Sequence, residues 1–285
     1  MLKKYKKHIV FFYICCFASL ICATFFDLKI DIALNNPKDA FSLWFYATGE
    51  IPARLVLPLA GAVIFTLCKG VITRLIGLLS TLGGSVYLGL HLAKYLFKEE
   101  NNLVFGALFG LGIGMIIIIA SPYIKIPNCA KQALLVFAWA GIAVMAGEII
   151  LTEACKYLWA RPRFRYLFTL DSFDRFTPWY KINGFNFSEG NEVKSFPSGH
   201  TAGAAVSFLI MLLPYCFDKL KSKNTLCFAT AFIYTITVAF TRLVLGAHFL
   251  SDVTFGAMLT FTLVIISMAI IDKIYNNKLL QEENK

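Results

Sequence analysis

The sequence predicts an all-α fold, a polytopic membrane helix bundle of about eight spans, with six to eight as the range. Three observations predict it. Of the 285 residues, 58% are hydrophobic and only 15% charged, and the mean hydropathy is +0.67, more apolar than a soluble core of this size needs. The apolar residues come in runs close to the ~20 that a helix needs to cross a ~30 Å hydrocarbon core. Lys and Arg crowd alternate segments between the runs, as cytoplasmic loops do.

The runs lie at 8–27, 53–69, 72–97, 102–121, 132–155, 200–217, 226–245 and 249–272. The first follows Lys3, Lys4, Lys6 and Lys7 in the manner of a secretory signal. No small-residue cleavage site follows it and it is long enough to span, so it reads as a retained helix. The second is the weakest, being short and running almost directly into the third. With the N-terminus inside, the inner segments collect Lys69, Arg74, Lys125, Lys131, Lys219, Lys221, Lys223, Lys273, Lys278 and Lys285. The outer loops 28–52 and 98–101 hold only Lys29, Lys38 and Lys98. The chain therefore divides into N-terminal membrane helices (1–130), a core (131–275) with a polar outer loop at 156–199, and a cytoplasmic tail (276–285).

Composition narrows the partners. The net charge of +10 is distributed as topology demands and points to an anionic substrate rather than to nucleic acid. The eight cysteines are scattered through or beside apolar runs without disulfide or zinc spacing, and read as small buried hydrophobes. Nothing in the sequence marks an oligomeric state. Among single polar residues, Glu148 reads as a hydrogen bond to another span, with a substrate or proton-path role as the alternative. Glu153 is solvated or paired with a cation, His91 is a packing residue, and Arg54 anchors the start of its helix.

Three polar clusters fall at helix ends on the outer side of this topology. Lys156 and Arg163 bracket a turn where Pro162 ends the fifth run, so both can aim at one point; alone, such a pair is also a common topology anchor. The surrounding loop interleaves Arg161, Arg163, Arg165, Arg175, Lys181 and Lys194 with aromatic residues, which fits an interfacial loop neutralising anionic lipid or a lid over a phosphorylated lipid. Asp171, Asp174, Glu189 and Glu192 read as solvated or paired. In the second cluster, Pro197 suits a helix start, Ser198 can donate to a phosphate oxygen, and Gly199 lets backbone amides approach an anion. His200, in the first turn, can face the same ligand as a proton donor. In the third, His248 and Asp252 share a helix face at i, i+4, so the carboxylate can brace one ring nitrogen, and Arg242 can reach the same anion. A buried ion-pair cluster holding helices together is the alternative.

Together these residues resemble the three signature motifs of the type 2 phosphatidic acid phosphatase, or lipid phosphate phosphatase, superfamily. The first motif, Lys, six residues, Arg-Pro, is Lys156 to Arg163 here, with Phe164 where the family usually has proline. Pro-Ser-Gly-His is intact at 197–200. Arg, five residues, His, three residues, Asp is intact as Arg242, His248 and Asp252. The family usually has six spans, and the extra N-terminal length is a departure.

The resemblance implies that His248 attacks phosphorus to form a phosphohistidine, with Asp252 orienting it. His200 would protonate the leaving oxygen and then activate water. Lys156, Arg163, Ser198, Gly199 and Arg242 would bind the phosphate. Three cations can take a metal's part, so no metal or other cofactor is expected. The implied protein is a metal-independent phosphatase of a phosphorylated membrane lipid, working at the outer, periplasmic face of a bacterial cytoplasmic membrane. An undecaprenyl diphosphate-like carrier leads the substrates, with phosphatidylglycerol phosphate, phosphatidic acid and lipid A phosphates behind. A lipid phosphotransferase using the same site and a non-catalytic anionic-lipid binding or transport protein are the competing readings. The Asn186-Phe187-Ser188 glycosylation pattern is too common to weigh.

Overall fold

The computed structural model describes residues 1–96, 103–185 and 190–283. Lys98, Asn186-Phe187-Ser188, Glu189 and Lys285 lie outside the described residues. Among the described residues, eight helical segments are long and apolar enough to cross a membrane. The helices are α1 (Leu2–Leu34), α2 (Ala40–Thr48), α3 (Ile51–Leu67), α4 (Val71–Leu96), α5 (Leu103–Ala120) and α6 (Asn128–Trp159). They continue as α7 (Phe164–Thr169), α8 (Gly199–Ala205), α9 (Leu213–Cys216), α10 (Asn224–Val244) and α11 (Leu250–Glu283).

Each expected run overlaps one of the eight segments, its ends agreeing to within a few residues apart from three corrections. Helix α1 continues past residue 27, because Asp27 and Asp31 are buried against the protein rather than marking the membrane edge. The segment 28–52 is not simply a loop. Asp39 accepts the Ser42 amide at 2.8 Å and caps α2, a helix too short for a search keyed to ~20 apolar residues. Helix α2 joins α3 into one 28-residue segment, Ala40–Leu67. The run at 200–217 is not one helix either: α8 and α9 flank a 3-10 stretch, Val206–Leu212, where Pro214 lacks the N–H that would bond back to Ile210. Helix α6 ends before Pro162, at a left-handed Ala160 (φ 41°).

The packing draws the N-terminal helices onto the rest of the chain. Helix α1 lies on α11 and α10, α2 on α10, and α3 on α6 as well as α4. Phe12 of α1 stacks on Phe261 of α11 at 3.9 Å, and Phe208 meets both edge-on at 5.4 and 4.7 Å. Helices α3, α4 and α5 approach through small residues, as membrane helices do when packing replaces a hydrophobic driving force. A Cβ on Gly110 would sit 2.2 Å from the Ser85 carbonyl oxygen, and one on Gly61 would sit 2.6 Å from that of Gly77.

The two ends of the bundle differ. At one, the Tyr5 hydroxyl donates to the Met211 carbonyl at 2.9 Å and Lys4 lies over the Tyr215 ring, which gathers the N-terminal lysines near those at 219–223. At the other meet the C-terminal parts of α1, α6 and α10 and the N-termini of α3, α8 and α11. The three polar clusters lie there.

Candidate active site

Helix α10 ends in a turn at Gly246 (φ 58°), against which the Phe164 ring packs; a Cβ on Gly246 would sit 2.9 Å from that ring. Phe164 is fully buried with Leu167 and Phe249, so the departure from proline at this position is an aromatic plug under the turn. The turn delivers His248, which is 2% exposed.

Two contacts set the state of that imidazole. Its Nδ1 lies 2.7 Å from the Ser195 carbonyl oxygen, and its Nε2 lies 3.0 Å from Nη1 of Arg163. A carbonyl can only accept and a guanidinium can only donate. Nδ1 therefore carries the proton and Nε2 presents its lone pair. Burial, and after it the Arg163 charge, lowers the His248 pKa to about 3, which keeps the ring neutral.

Asp252 is not the direct acceptor that the i, i+4 spacing suggested. Its Oδ2 stands 3.8 Å from Nδ1, beyond hydrogen-bond reach, because the Ser195 carbonyl occupies that position. The carboxylate instead accepts the Ser195 hydroxyl at 2.5 Å and the Phe249 amide at 2.9 Å. It also accepts Nη1 of Arg161 at 2.6 Å. It braces the backbone on both sides of the imidazole.

Arg161 is the residue that sequence reasoning placed wrongly, as one loop cation among several. It is 0% exposed. Besides Asp252 it donates to the Ser251 hydroxyl at 2.7 Å, to Asp27 of α1 at 3.0 Å and to the Thr177 carbonyl at 2.8 Å. Its guanidinium lies 4.3 Å from the Phe249 ring centroid. Asp27 also takes the Ser251 amide at 3.0 Å and the Ser251 hydroxyl. An acid inside an apolar run was the available signal, since such residues are functional candidates by default.

The other expected residues converge on the same end. Arg163 is held by the Asn191, Lys194 and Ala247 carbonyls at 2.9, 3.2 and 3.0 Å. Arg242 is fully buried beside the Tyr46 ring. It donates from Nη2 to the Ser42 carbonyl and the Thr241 hydroxyl, while its Nε and Nη1 have no partner among the described residues. Buried donors are normally satisfied, so two orphaned ones on a cation fit an anion. Ser198 caps α8, its hydroxyl oxygen accepting the Thr201 amide and hydroxyl. Lys156 lies against Gly199, where a Cβ would sit 3.1 Å from its Nζ, but its ammonium is paired with Glu153 at 2.6 Å. His200 faces Glu50 and Tyr46, two residues with no motif to announce them.

The remaining polar residues resolve simply. His91 is satisfied by the Ala47 carbonyl at 2.8 Å, and Arg54 pairs with Glu50 at the start of α3. Glu192 pairs with Arg165. Glu148 accepts from Thr152 of its own helix at 3.3 Å rather than from another span, since one turn of helix already brings that hydroxyl within reach.

A PAP2 superfamily profile matches residues 137–275, from the middle of α6 into α11. Among solved structures, the chain resembles a transmembrane PAP2 type phosphatidylglycerolphosphate phosphatase from Bacillus subtilis. The two are 19% identical, the match covers 90% of this chain and 97% of that one, and the TM-score is 0.31. The curated proteins contain no match to the chain.

Proposed function

We propose that this chain, which belongs to the PAP2 superfamily through residues 137–275, is an integral membrane phosphatase that hydrolyses a lipid phosphate or diphosphate without a metal. The observation that carries the reading is the fixed tautomer of His248: Nδ1–H on the Ser195 carbonyl and a lone pair on Nε2. That lone pair attacks phosphorus and forms a phosphohistidine as the bond to the leaving oxygen breaks. Arg163 turns from Nε2 to the incoming phosphoryl oxygens. Arg242 offers its unpartnered Nε and Nη1, and Lys156 leaves Glu153 to reach past Gly199. Ser198 and the Gly199 amide complete the cradle. His200 protonates the leaving oxygen, then takes a proton from the water that releases phosphate. Such transfer depends on positioning and on neutralising phosphoryl oxygens, which three cations supply.

A lipid substrate is supported by an apolar cavity of about 780 Å³ between α2–α3 and the helices behind them. It begins at Trp44 and Thr48, which flank Tyr46, the residue stacked on His200. Along α3 it runs from Ile51 to Val63, or ~18 Å at 1.5 Å per residue. That exceeds half of a ~30 Å hydrocarbon core and suits one long hydrocarbon chain. An undecaprenyl diphosphate-type carrier leads, followed by phosphatidylglycerol phosphate, phosphatidic acid and lipid A phosphates. With the lysine-rich end in the cytoplasm, the site faces outward from a bacterial cytoplasmic membrane.

Phosphate release by the purified protein from a panel of these lipids, with EDTA present, tests the function. Release from at least one lipid is expected; release from none, or activity abolished by EDTA, overturns it. Ser207 lines the cavity with a hydroxyl that has no partner among the described residues. Ser207→Phe should lower kcat/KM for a long-chain substrate by on the order of tenfold or more, while a water-soluble phosphate ester is turned over as before. Equal effects on both would remove the chain-binding role.

A further inference from the structure

We infer that Glu50 is a positioning residue for the proton donor, supplied by the helices that precede the superfamily segment. The inference rests on the phosphatase reading and assigns a partner that the signature motifs do not contain. Glu50 sits at the junction of α2 and α3. Its Oε1 lies 3.2 Å from Nδ1 of His200, and its Oε2 is held by Arg54, one turn along α3. Arg54 is itself fixed over the Tyr87 ring of α4, 4.2 Å from its centroid. On the other side, Nε2 of His200 lies 3.3 Å from the Tyr46 carbonyl oxygen, and the Tyr46 ring stacks on the imidazole at 5.3 Å and 16°.

Both ring nitrogens of His200 therefore face acceptors, a carboxylate and a carbonyl. A neutral imidazole can donate to only one of them; the imidazolium satisfies both. The other charges acting on His200 are Arg242 from α10 and Arg163 from the outer loop, and Lys156 of α6 lies against the adjacent Gly199. All three are cations, and the neighbouring His248 is neutral. Burial first, and then these cations, work against the charged form of His200, and Glu50 is the anion that works for it.

The proton balance follows. As Nε2 of His248 bonds to phosphorus, the electron pair of the breaking P–O bond passes to the leaving oxygen. That oxygen takes the Nε2 proton of His200, which turns from the Tyr46 carbonyl. His200 is left neutral with its Nδ1–H on Glu50. In the second half, water bonds to phosphorus, its proton goes to Nε2 of His200, and the N–P bond breaks. The Nδ1 proton stays on the ring, directed at the Glu50 carboxylate, throughout.

The test uses Glu50→Gln and Glu50→Asp in the full chain. It compares a lipid phosphate, whose alkoxide leaving group needs a proton, with p-nitrophenyl phosphate, whose leaving group does not. Glu50→Gln should lower kcat on the lipid by on the order of 10²-fold with KM little changed, and leave the aryl ester nearly untouched. Loss of the carboxylate disfavours the imidazolium, so the alkaline limb of kcat should move to lower pH. Glu50→Asp should restore part of the rate. Equal losses on both substrates with an unmoved pH profile would overturn the role, as would no loss at all. If Glu50→Gln does not fold, Glu50→Asp carries the test: it draws the carboxylate back by one methylene and should give the same leaving-group split more weakly; the absence of a split there also overturns the role. Failure of the phosphatase reading shows differently: wild type and His248→Ala would then release equal phosphate from both substrates.

Discussion

Replacing His248 by alanine is expected to lower phosphate release by on the order of 10³-fold or more, because the group removed is the proposed attacking atom itself. The change also leaves the Ser195 carbonyl and one Arg163 donor without their partner. That should cost about 1–3 kcal/mol, so the variant should stay folded with a modestly lower Tm. Circular dichroism and size-exclusion chromatography in detergent separate the two effects. A variant that folds and still releases phosphate at the wild-type rate would remove the enzyme and favour an anionic-lipid binding protein. The same residue sets a pH expectation. Its ordinary imidazole pKa is lowered to about 3, first by burial and then by Arg163. Below that value the ring is protonated and cannot attack; above it the lone pair is available. The acid limb of kcat/KM contributed by this group should therefore lie near pH 3 rather than near pH 6.5.

The largest loss of stability is expected from Arg161→Met. Arg161 bridges Asp27 and Asp252, and their side chains are 0%, 2% and 0% exposed. Removing the cation strands two carboxylates in a buried site, which should cost about 3–5 kcal/mol. Arg165→Met is the control. Its pair with Glu192 is exposed at 44% and 38%, and such pairs contribute less than about 1 kcal/mol. Thermal unfolding in detergent should show a large drop for Arg161→Met and almost none for Arg165→Met. Equal, small shifts would mean that the buried network does not hold the bundle together. Activity should fall with Arg161→Met as well, since a displaced Asp252 no longer fixes Ser195 beside the imidazole.

These two arginines show what the sequence made legible. Both are basic residues in the same loop, four positions apart, and composition treats them alike. The difference is made by Asp27, 134 residues from Arg161 in the chain, and local periodicity carries no information at that distance. The spans were legible because hydrocarbon imposes a length and a polarity on each helix separately. The ends of α1 and α2 were not. One helix buries its acids against neighbours and the other is shorter than a membrane is thick. The motifs placed His248, Arg163 and Arg242 at one end of the bundle. That a backbone carbonyl, rather than Asp252, receives the Nδ1 proton depends on how residues 194–196 run past the turn. Glu50 and Tyr46 had no signal except that an acid precedes Arg54 by one helical turn.

The bond between the Ser251 amide and Asp27 spans 224 residues of sequence, joining the first transmembrane helix to the last. Membrane proteins are threaded into the bilayer as they are translated, so the aspartate of α1 can meet Arg161 once α6 is in place, and gains Ser251 only when α11 follows. The polar network around Asp27 is therefore complete only once α11 has been inserted.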